Sequence, residues 1–412
     1  MSAPATAAQG PLAGLRILDL GTIFAGPLVG ANLGDLGADV IKIEPPRGDD
    51  VRRLGASRDG IAMWWKVAGR NKQLAAIDLT HAQGVEIVKR LARDADVLVE
   101  NFRPGKIEAL GLGYDVLSQV NPRLVVAHIS GYGREGPYRD RPGFGTLAEA
   151  FSGFVYTNGS PDGPPTLLNF PVADCVTALV GCYSVLAALR ERDRSGRGQE
   201  IDINLYESLM ALMGNMVVGY DVLGDVMQRR GNRSKSSVPR NAYPTKDGHW
   251  CVVSSTTDAM AGRVFRAIGR HDLADDPALA TNQGRARRAE EIDGIMAAWV
   301  REHTLDDALA ILQSHDVPAG PINDVAHFFA DPHVVARESI TRIPDADFGS
   351  IAMPAVAPRF TRTPGRVRWA GRSAIGADTR AVLRSAGYTD AEIDRLAADK
   401  VIRIADAAAK RG

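Results

Sequence analysis

The sequence predicts an α/β fold in which a largely parallel sheet is covered by helices on both faces, with a smaller α+β domain following it. Three observations carry the prediction. Short apolar runs alternate with helical periodicities through the first half of the chain, the pattern of repeated βαβ units. The character then changes near Gly224, where Gln228–Pro239 (QRRGNRSKSSVP) turns polar and rich in Gly and Arg, as a loop or linker does. Two short helical patterns close the chain after a DFGSIAMP segment. Together these give a Rossmann-like large domain over 1–222, a small α+β domain with its linkers over 223–332, and a C-terminal part, 333–412, that returns to the large domain.

Taken in order, Leu15–Leu20 (LRILDL) is an apolar run of buried-strand type, after about a dozen loose residues. Gly26–Gly37 reads as a helix of small residues and Asp39–Glu44 (DVIKIE) as the second strand. Leu74–Leu79 is extended, Gln83–Arg93 has helical period, and Val97–Glu100 is again a strand. One helix near Lys106–Gln119 leads to the strand Leu124–Ile129. Asp174–Arg192, rich in Val, Ala and Leu, is the longest clear helix of the first half. It is followed by the strand Glu200–Asn204 and then by Leu205–Tyr220, which is apolar almost all round and so reads as one buried helix. Beyond the linker come a strand, Trp250–Ser254, and several helices, and finally the helices Thr379–Ala386 and Asp390–Ala398.

Charge and composition exclude several classes of function. Lys plus Arg and Asp plus Glu both number 49, so there is no net basic bias and no nucleic-acid partner is expected. Three cysteines, Cys175, Cys182 and Cys251, without a CxxC spacing, give neither a disulfide framework nor a metal site. The N-terminal MSAPATAAQG lacks the basic and apolar regions of a signal peptide, and no apolar stretch is read as long enough to span a bilayer. A soluble, cytoplasmic protein with no membrane partner is expected.

Common catalytic signatures are missing: no GxxxxGK[ST] loop, no GxSxG elbow and no HExxH helix. The first βαβ unit superficially resembles a dinucleotide site with Glu44 at its second strand tip, but Gly21, Gly26 and Gly30 in LGTIFAGPLVG do not form GxGxxG. The amides at the helix start near Ala25 are still placed to meet another nucleotide's phosphates. Asp174, in FPVADCVTALVG, opens an apolar helix, where an acidic residue serves as N-cap and complements the helix dipole. The same position lowers a carboxyl pKa and keeps the group ionised, which is what nucleophilic attack on a thioester requires. NFRPG (101–105) follows a strand end directly. It is either a plain strand-to-helix turn or, through Asn101, Phe102 and Arg103, a cradle for an adenine nucleotide. ISGYGREGPY (129–138) is a second Gly-rich loop after a strand.

In order along the chain, GLRILDLGTIFAGP, LGADVIKIEPP, GRNKQLAAIDL, VLVENFRPGKIEALGLGY, NPRLVVAHISGYGREGPY, ADCVTALVG, RSGRGQEIDINLYES, SVPRNAYPTKDG and VPAGPIND resemble the class III CoA-transferase family. The likeness runs from Gly14 to Asp324 and weakens towards the C-terminus. It implies that Asp174 is the catalytic nucleophile, passing through an acyl anhydride and an aspartyl-CoA thioester, with no metal and no cofactor beyond coenzyme A as substrate. It implies CoA contacts at Phe24, Ala25, Ile77, Asp78, Asn101, Phe102 and the Arg141–Phe144 segment. The family arginine before the following Leu-Gly is here Ala109, so Arg103 or Lys106 is expected to replace its phosphate contact. The racemases of the family carry Gly-His-Asp where this chain has Gly143-Phe144-Gly145, and phenylalanine moves no proton, so transfer is favoured over racemisation. The segments 237–248 (SVPRNAYPTKDG) and 317–324 (VPAGPIND) resemble the branch using succinyl-CoA and dicarboxylic acids. There Arg233, Lys235 and Arg240 are candidates to hold a distal carboxylate, or else solvated loop charges. The family fold also implies an interlaced, ring-like homodimer.

Overall fold

The computed structural model describes residues 10–405; the N-terminal segment read as loose lies, up to residue 9, outside the described residues. The described chain divides into two compact units. One comprises the residues up to Val155, Leu167–Val226 and those from Val335 onward; the other comprises Tyr156–Thr166 and Met227–Val334. The segment 156–166 therefore groups with the second unit, although the sequence placed it in the first 222 residues.

In the first unit, β1 (Arg16–Asp19), β2 (Asp39–Glu44), β3 (Lys72–Ile77), β4 (Val97–Glu100), β5 (Val125–Ser130) and β6 (Glu200–Asn204) build one parallel sheet. Their spatial order is β3-β2-β1-β4-β5-β6. The chain starts at the middle, winds one way to β3, then crosses to β4 and winds the other way. The adjacent loops after β1 and β4 therefore diverge, and the crevice between them is where doubly wound sheets bind ligands. The interior strands are continuously apolar because both faces are covered: Ile17, Leu18, Leu98, Val99, Val126 and Ala127 are fully buried. One face is packed by helix α2 (Ala82–Ala92) through Ile87, Val88 and Leu91, and the other by α1 (Ala25–Asp35) and α4 (Val172–Ser195).

The remaining elements that shape the site are α3 (Gly145–Phe151), α5 (Leu205–Leu212) and α6 (Gly214–Leu223). Three expectations are corrected. The helix read over Lys106–Gln119 is two pieces, Lys106–Ala109 and Tyr114–Val120, because Gly111 adopts a left-handed conformation (φ 71°) between them. The helix read over Leu205–Tyr220 breaks at Met213, and α6 has no buried residue: Val218 and Tyr220 are 62% and 64% exposed. Finally, α4 runs 24 residues and is long and apolar enough to cross a membrane by length and composition alone. It is nonetheless a core helix, burying Ala178, Val185, Ala188 and Leu189 in this unit.

The C-terminal return is antiparallel. After a hairpin of β10 (Ile340–Asp345) and β11 (Gly349–Pro354), strand β12 (Ile402–Arg403) pairs with β3 and closes that edge of the sheet. Lys66, buried, clamps the hairpin turn by ion pairs to Asp345 (2.7 Å) and Asp347 (2.5 Å). The second unit is built on a three-stranded antiparallel sheet of β7 (Arg240–Pro244), β8 (Trp250–Ser254) and β9 (Ala319–Pro321), packed by helices through Val264, Met296, Val300 and Leu312.

Candidate active site

A cleft of about 540 Å³ opens at the carboxyl ends of β1 and β4, where the winding reverses. Its lining includes Thr22–Ala25 from the first turn, Asn101–Pro104 after β4, Ile129–Gly131 after β5, Arg139, Arg141, Gly143–Thr146 and Asp174. Of the residues singled out in the sequence, Phe24, Ala25, Asn101, Phe102, Arg103, Phe144 and Asp174 thus meet in one place. Ile77, Asp78 and Lys106 do not line it. Ile77 is fully buried in the core, the Asp78 carboxylate is bonded to the Thr80 amide and hydroxyl, and Lys106 starts an exposed turn. Arg233, Lys235 and Arg240 belong to the second unit. The Arg233 guanidinium is bonded there to Asp293 (2.6 Å) and Glu290 (3.3 Å), and Arg240 begins β7.

Asp174 lies at the third position of α4, not at its cap; Pro171 is the residue before the helix. Its carboxylate accepts the Ala25 amide and its own amide, both of which favour ionisation. The expected lowering of its pKa is nevertheless overturned. Burial, followed by the negative charge of Glu149, pushes the carboxyl up to about 6, against the pull of the two amides. At neutral pH about nine in ten of these groups are still ionised. The result is a carboxylate that is charged when needed and more basic, hence more nucleophilic, than an exposed aspartate.

Two residues that the sequence reading missed create this environment. Glu149, on α3, is 2% exposed, and its Oε1 accepts the Ala173 amide at 3.1 Å, taking up one orphan donor of α4. Gly145 begins α3 so close to the nucleophile candidate that a Cβ there would stand 2.2 Å from Asp174 Oδ2. The only signal in the sequence for Glu149 is an acid among the small apolar residues of TLAEAF; for Gly145 there is none beyond its type.

The walls are pre-formed. Asn101 is committed to the first turn rather than left to a ligand: its Oδ1 accepts the Thr22 amide (2.6 Å) and its Nδ2 donates to the Thr22 carbonyl (2.9 Å). Phe24 is backed edge-on by Trp64, with ring centroids 4.7 Å apart. Gly131 and Gly143 touch backbone to backbone, since a Cβ on either would fall 2.7 Å from the other's Cα. Around them Tyr132, Tyr138, Phe151 and Tyr206 cluster mostly edge-on, with Tyr132 tilted against Tyr206, and the Arg141 guanidinium lies 3.5 Å over the Tyr138 ring. Arg103, Arg139 and Arg141 are exposed on the cleft, giving it a positive rim. Of the two cations expected to replace the arginine absent at Ala109, only Arg103 lines the cleft. Phe144, 62% exposed, stands where a proton-moving side chain would be needed for racemisation. Glu44 does not face a ribose either: it is buried and paired with Arg52, both guanidinium contacts at 2.7 Å. Among the described residues no cluster of potential metal ligands is present.

A parallel doubly wound sheet whose switch-point cleft carries exposed arginines and a buried carboxylate is suited to an anionic ligand. The chain belongs to CoA-transferase family III, whose model matches residues 12–379. It is 41% identical over 395 residues to the succinyl-CoA–D-citramalate CoA-transferase of Chloroflexus aurantiacus, covering 95% of this chain and 98% of that one. It is 33% identical over 354 residues to the human succinyl-CoA:glutarate CoA-transferase, covering 85% and 81%. Among solved structures it is similar to a CAIB/BAIF family protein from Brucella suis, with a TM-score of 0.82 and 32% identity over 92% of this chain and 100% of that one. The protein is a CoA-transferase, acting between an acyl-CoA and a carboxylic acid.

Proposed function

We propose that Asp174 carries the acyl group and then CoA during transfer, and that the donor and acceptor are succinyl-CoA and a second dicarboxylic acid. The observation that carries this reading is the position of the Asp174 carboxylate at the floor of the cleft, ionised at neutral pH and held by the Ala25 amide. Its oxygen attacks the thioester carbonyl; the C–S bond breaks and CoA leaves as thiolate, giving a mixed anhydride. The thiolate attacks the aspartyl carbonyl, releasing the first acid and forming the aspartyl-CoA thioester. The incoming carboxylate reverses both steps. No net oxidation or hydrolysis occurs, so the reading needs no metal and no cofactor other than CoA.

The substrate class is supported by the relatives, whose names specify succinyl-CoA with citramalate or glutarate, and by the arginines on the cleft, a residue type that binds carboxylate and phosphate in paired contacts. Arg103 takes the phosphate contact that Ala109 lacks, and Phe24, Ala25, Phe102 and Phe144 frame the pantetheine and adenine. Arg233, held by Asp293 and Glu290 within the second unit, is not assigned to the distal carboxylate. We further propose a homodimer of the interlaced family type in the cytoplasm. Support for the dimer comes from apolar side chains that one copy leaves exposed, Leu179 and Tyr183 on α4 and Val217, Val218 and Tyr220 on α6.

The test is a mass-spectrometric screen of acyl-CoA donors against mono- and dicarboxylic acids, with Asp174→Ala in parallel. Transfer between dicarboxylates that disappears in the variant is expected. Transfer retained by Asp174→Ala removes the covalent mechanism, and solvent deuterium entering the α-carbon without an acceptor acid supports racemisation instead.

A further inference from the structure

The turn that carries the Ala25 amide is held by the side chains of Asp19, Asn101 and Asp49. Its backbone donors are each taken by one oxygen: Gly21 N–H by Asp19 Oδ1 (2.9 Å), Thr22 N–H by Asn101 Oδ1 (2.6 Å) and Ile23 N–H by Asp49 Oδ1 (3.1 Å). Ile23 is the unusual member. It sits at φ 64°, a left-handed conformation that a β-branched residue adopts only when its surroundings enforce it. Immediately after it come Phe24 and Ala25, so a relaxation of Ile23 to an ordinary conformation would swing both away from Asp174.

Asp49 is built to prevent that relaxation. It is 1% exposed, and its Oδ1 also accepts the Val51 amide (3.0 Å). Its Oδ2 is ion-paired with the buried Lys42 at 2.9 Å, and its own amide donates to Glu44 (3.0 Å). Lys42 in turn donates to the Gly21 carbonyl. Apart from Ile23, the carboxylate is therefore held by the Val51 amide and by Lys42, and it does not line the cleft. We propose that Asp49 is a positioning residue of the transfer reaction: by holding Ile23 in its left-handed conformation it aims the Ala25 amide at the Asp174 carboxylate. This rests on the reading of Asp174 as nucleophile.

The experiment is a double-mutant cycle in the full-length protein, reading the rate of CoA exchange and the hydroxylamine-trapped adduct at Asp174. Asp49→Ala lets Ile23 relax and lowers kcat about tenfold or more, equivalent to about 1.4 kcal/mol. Ile23→Gly removes the conformational cost, because glycine takes this φ freely. The double variant is thus expected to recover at least about threefold over Asp49→Ala. Losses that simply add, or an unchanged kcat in a folded Asp49→Ala, overturn the proposal. Should Asp49→Ala fail to fold, Asp49→Asn keeps an acceptor oxygen for Ile23 while losing the charge: a kcat within about threefold of wild type supports the positioning role, and a greater loss in a folded protein overturns it. Asp174→Asn, run alongside, separates the two readings. Its retained activity sinks the nucleophile assignment, whereas additivity at Asp49 and Ile23 sinks only the positioning role.

Discussion

Replacing Glu149 with Gln should move the acid limb of the pH–rate profile to lower pH. The substitution keeps a side-chain oxygen for the Ala173 amide, 3.1 Å away, and removes only the charge. Asp174 titrates near 6 rather than 3.8; burial is the larger cause and Glu149 the second. Loss of that second cause is worth on the order of half to one pH unit, roughly 0.7–1.4 kcal/mol. At pH 5.5 the ionised fraction would then rise from roughly a quarter to a half or more, so the rate there, relative to its own plateau at pH 8, would about double. The plateau itself would fall, because a less basic carboxylate is a weaker nucleophile. The assay is kcat/KM for exchange between pH 4.5 and 8.5 in wild type and variant at constant ionic strength. An acid limb that stays in place in a folded Glu149→Gln protein would refute the electrostatic coupling of the two carboxylates, and with it the account of why Asp174 is raised.

Other outcomes follow from the same geometry. Asp174→Asn should lower exchange at least about 10⁴-fold, as loss of a covalent nucleophile does, measured by mass spectrometry of the CoA products. The same variant should be more stable than wild type at pH 8. A carboxyl whose folded pKa is raised favours folding below its unfolded pKa and loses that contribution as pH climbs through about 6. The gain, up to about 3 kcal/mol, should fall to well under about 1 kcal/mol by pH 4 in denaturant titrations. Gly145→Ala places a methyl 2.2 Å from Asp174 Oδ2; displacing the carboxylate by an ångström should cost about 100-fold in kcat, seen by steady-state kinetics. Val218→Asp, on the exposed face of α6, should shift the sedimentation of the protein towards monomer, and an unchanged dimer would place the interface elsewhere.

The sheet was legible because its strands are buried on both faces: DVIKIE and VLVE are read correctly to the residue, the first despite the charges of Asp39, Lys42 and Glu44. Helix ends were less so. The break at Gly111 depends on one backbone conformation, and the break at Met213 has no marker that a helix period reveals. Apolarity was also misread as burial in α6, because periodicity records how oily a segment is and not what covers it. At the site, position 174 was found from its place at the head of an apolar helix and from the family likeness. Its protonation behaviour was not, since the sign of the shift turns on Glu149 and on burial, both set by packing. Asp49 was hidden for the same reason: in sequence it is a polar residue in a Gly-containing loop.

By itself, then, the sequence determined the alternation of elements, the family and the chemical identity of the carboxylate, all of which are written in local pattern and order along the chain. Only the tertiary structure decided which loops meet at the crossover between β1 and β4, which acids are buried together, and which amides face Asp174. Those are properties of residues dozens of positions apart, and their energies exist only once the sheet has brought them within a few ångströms and excluded water.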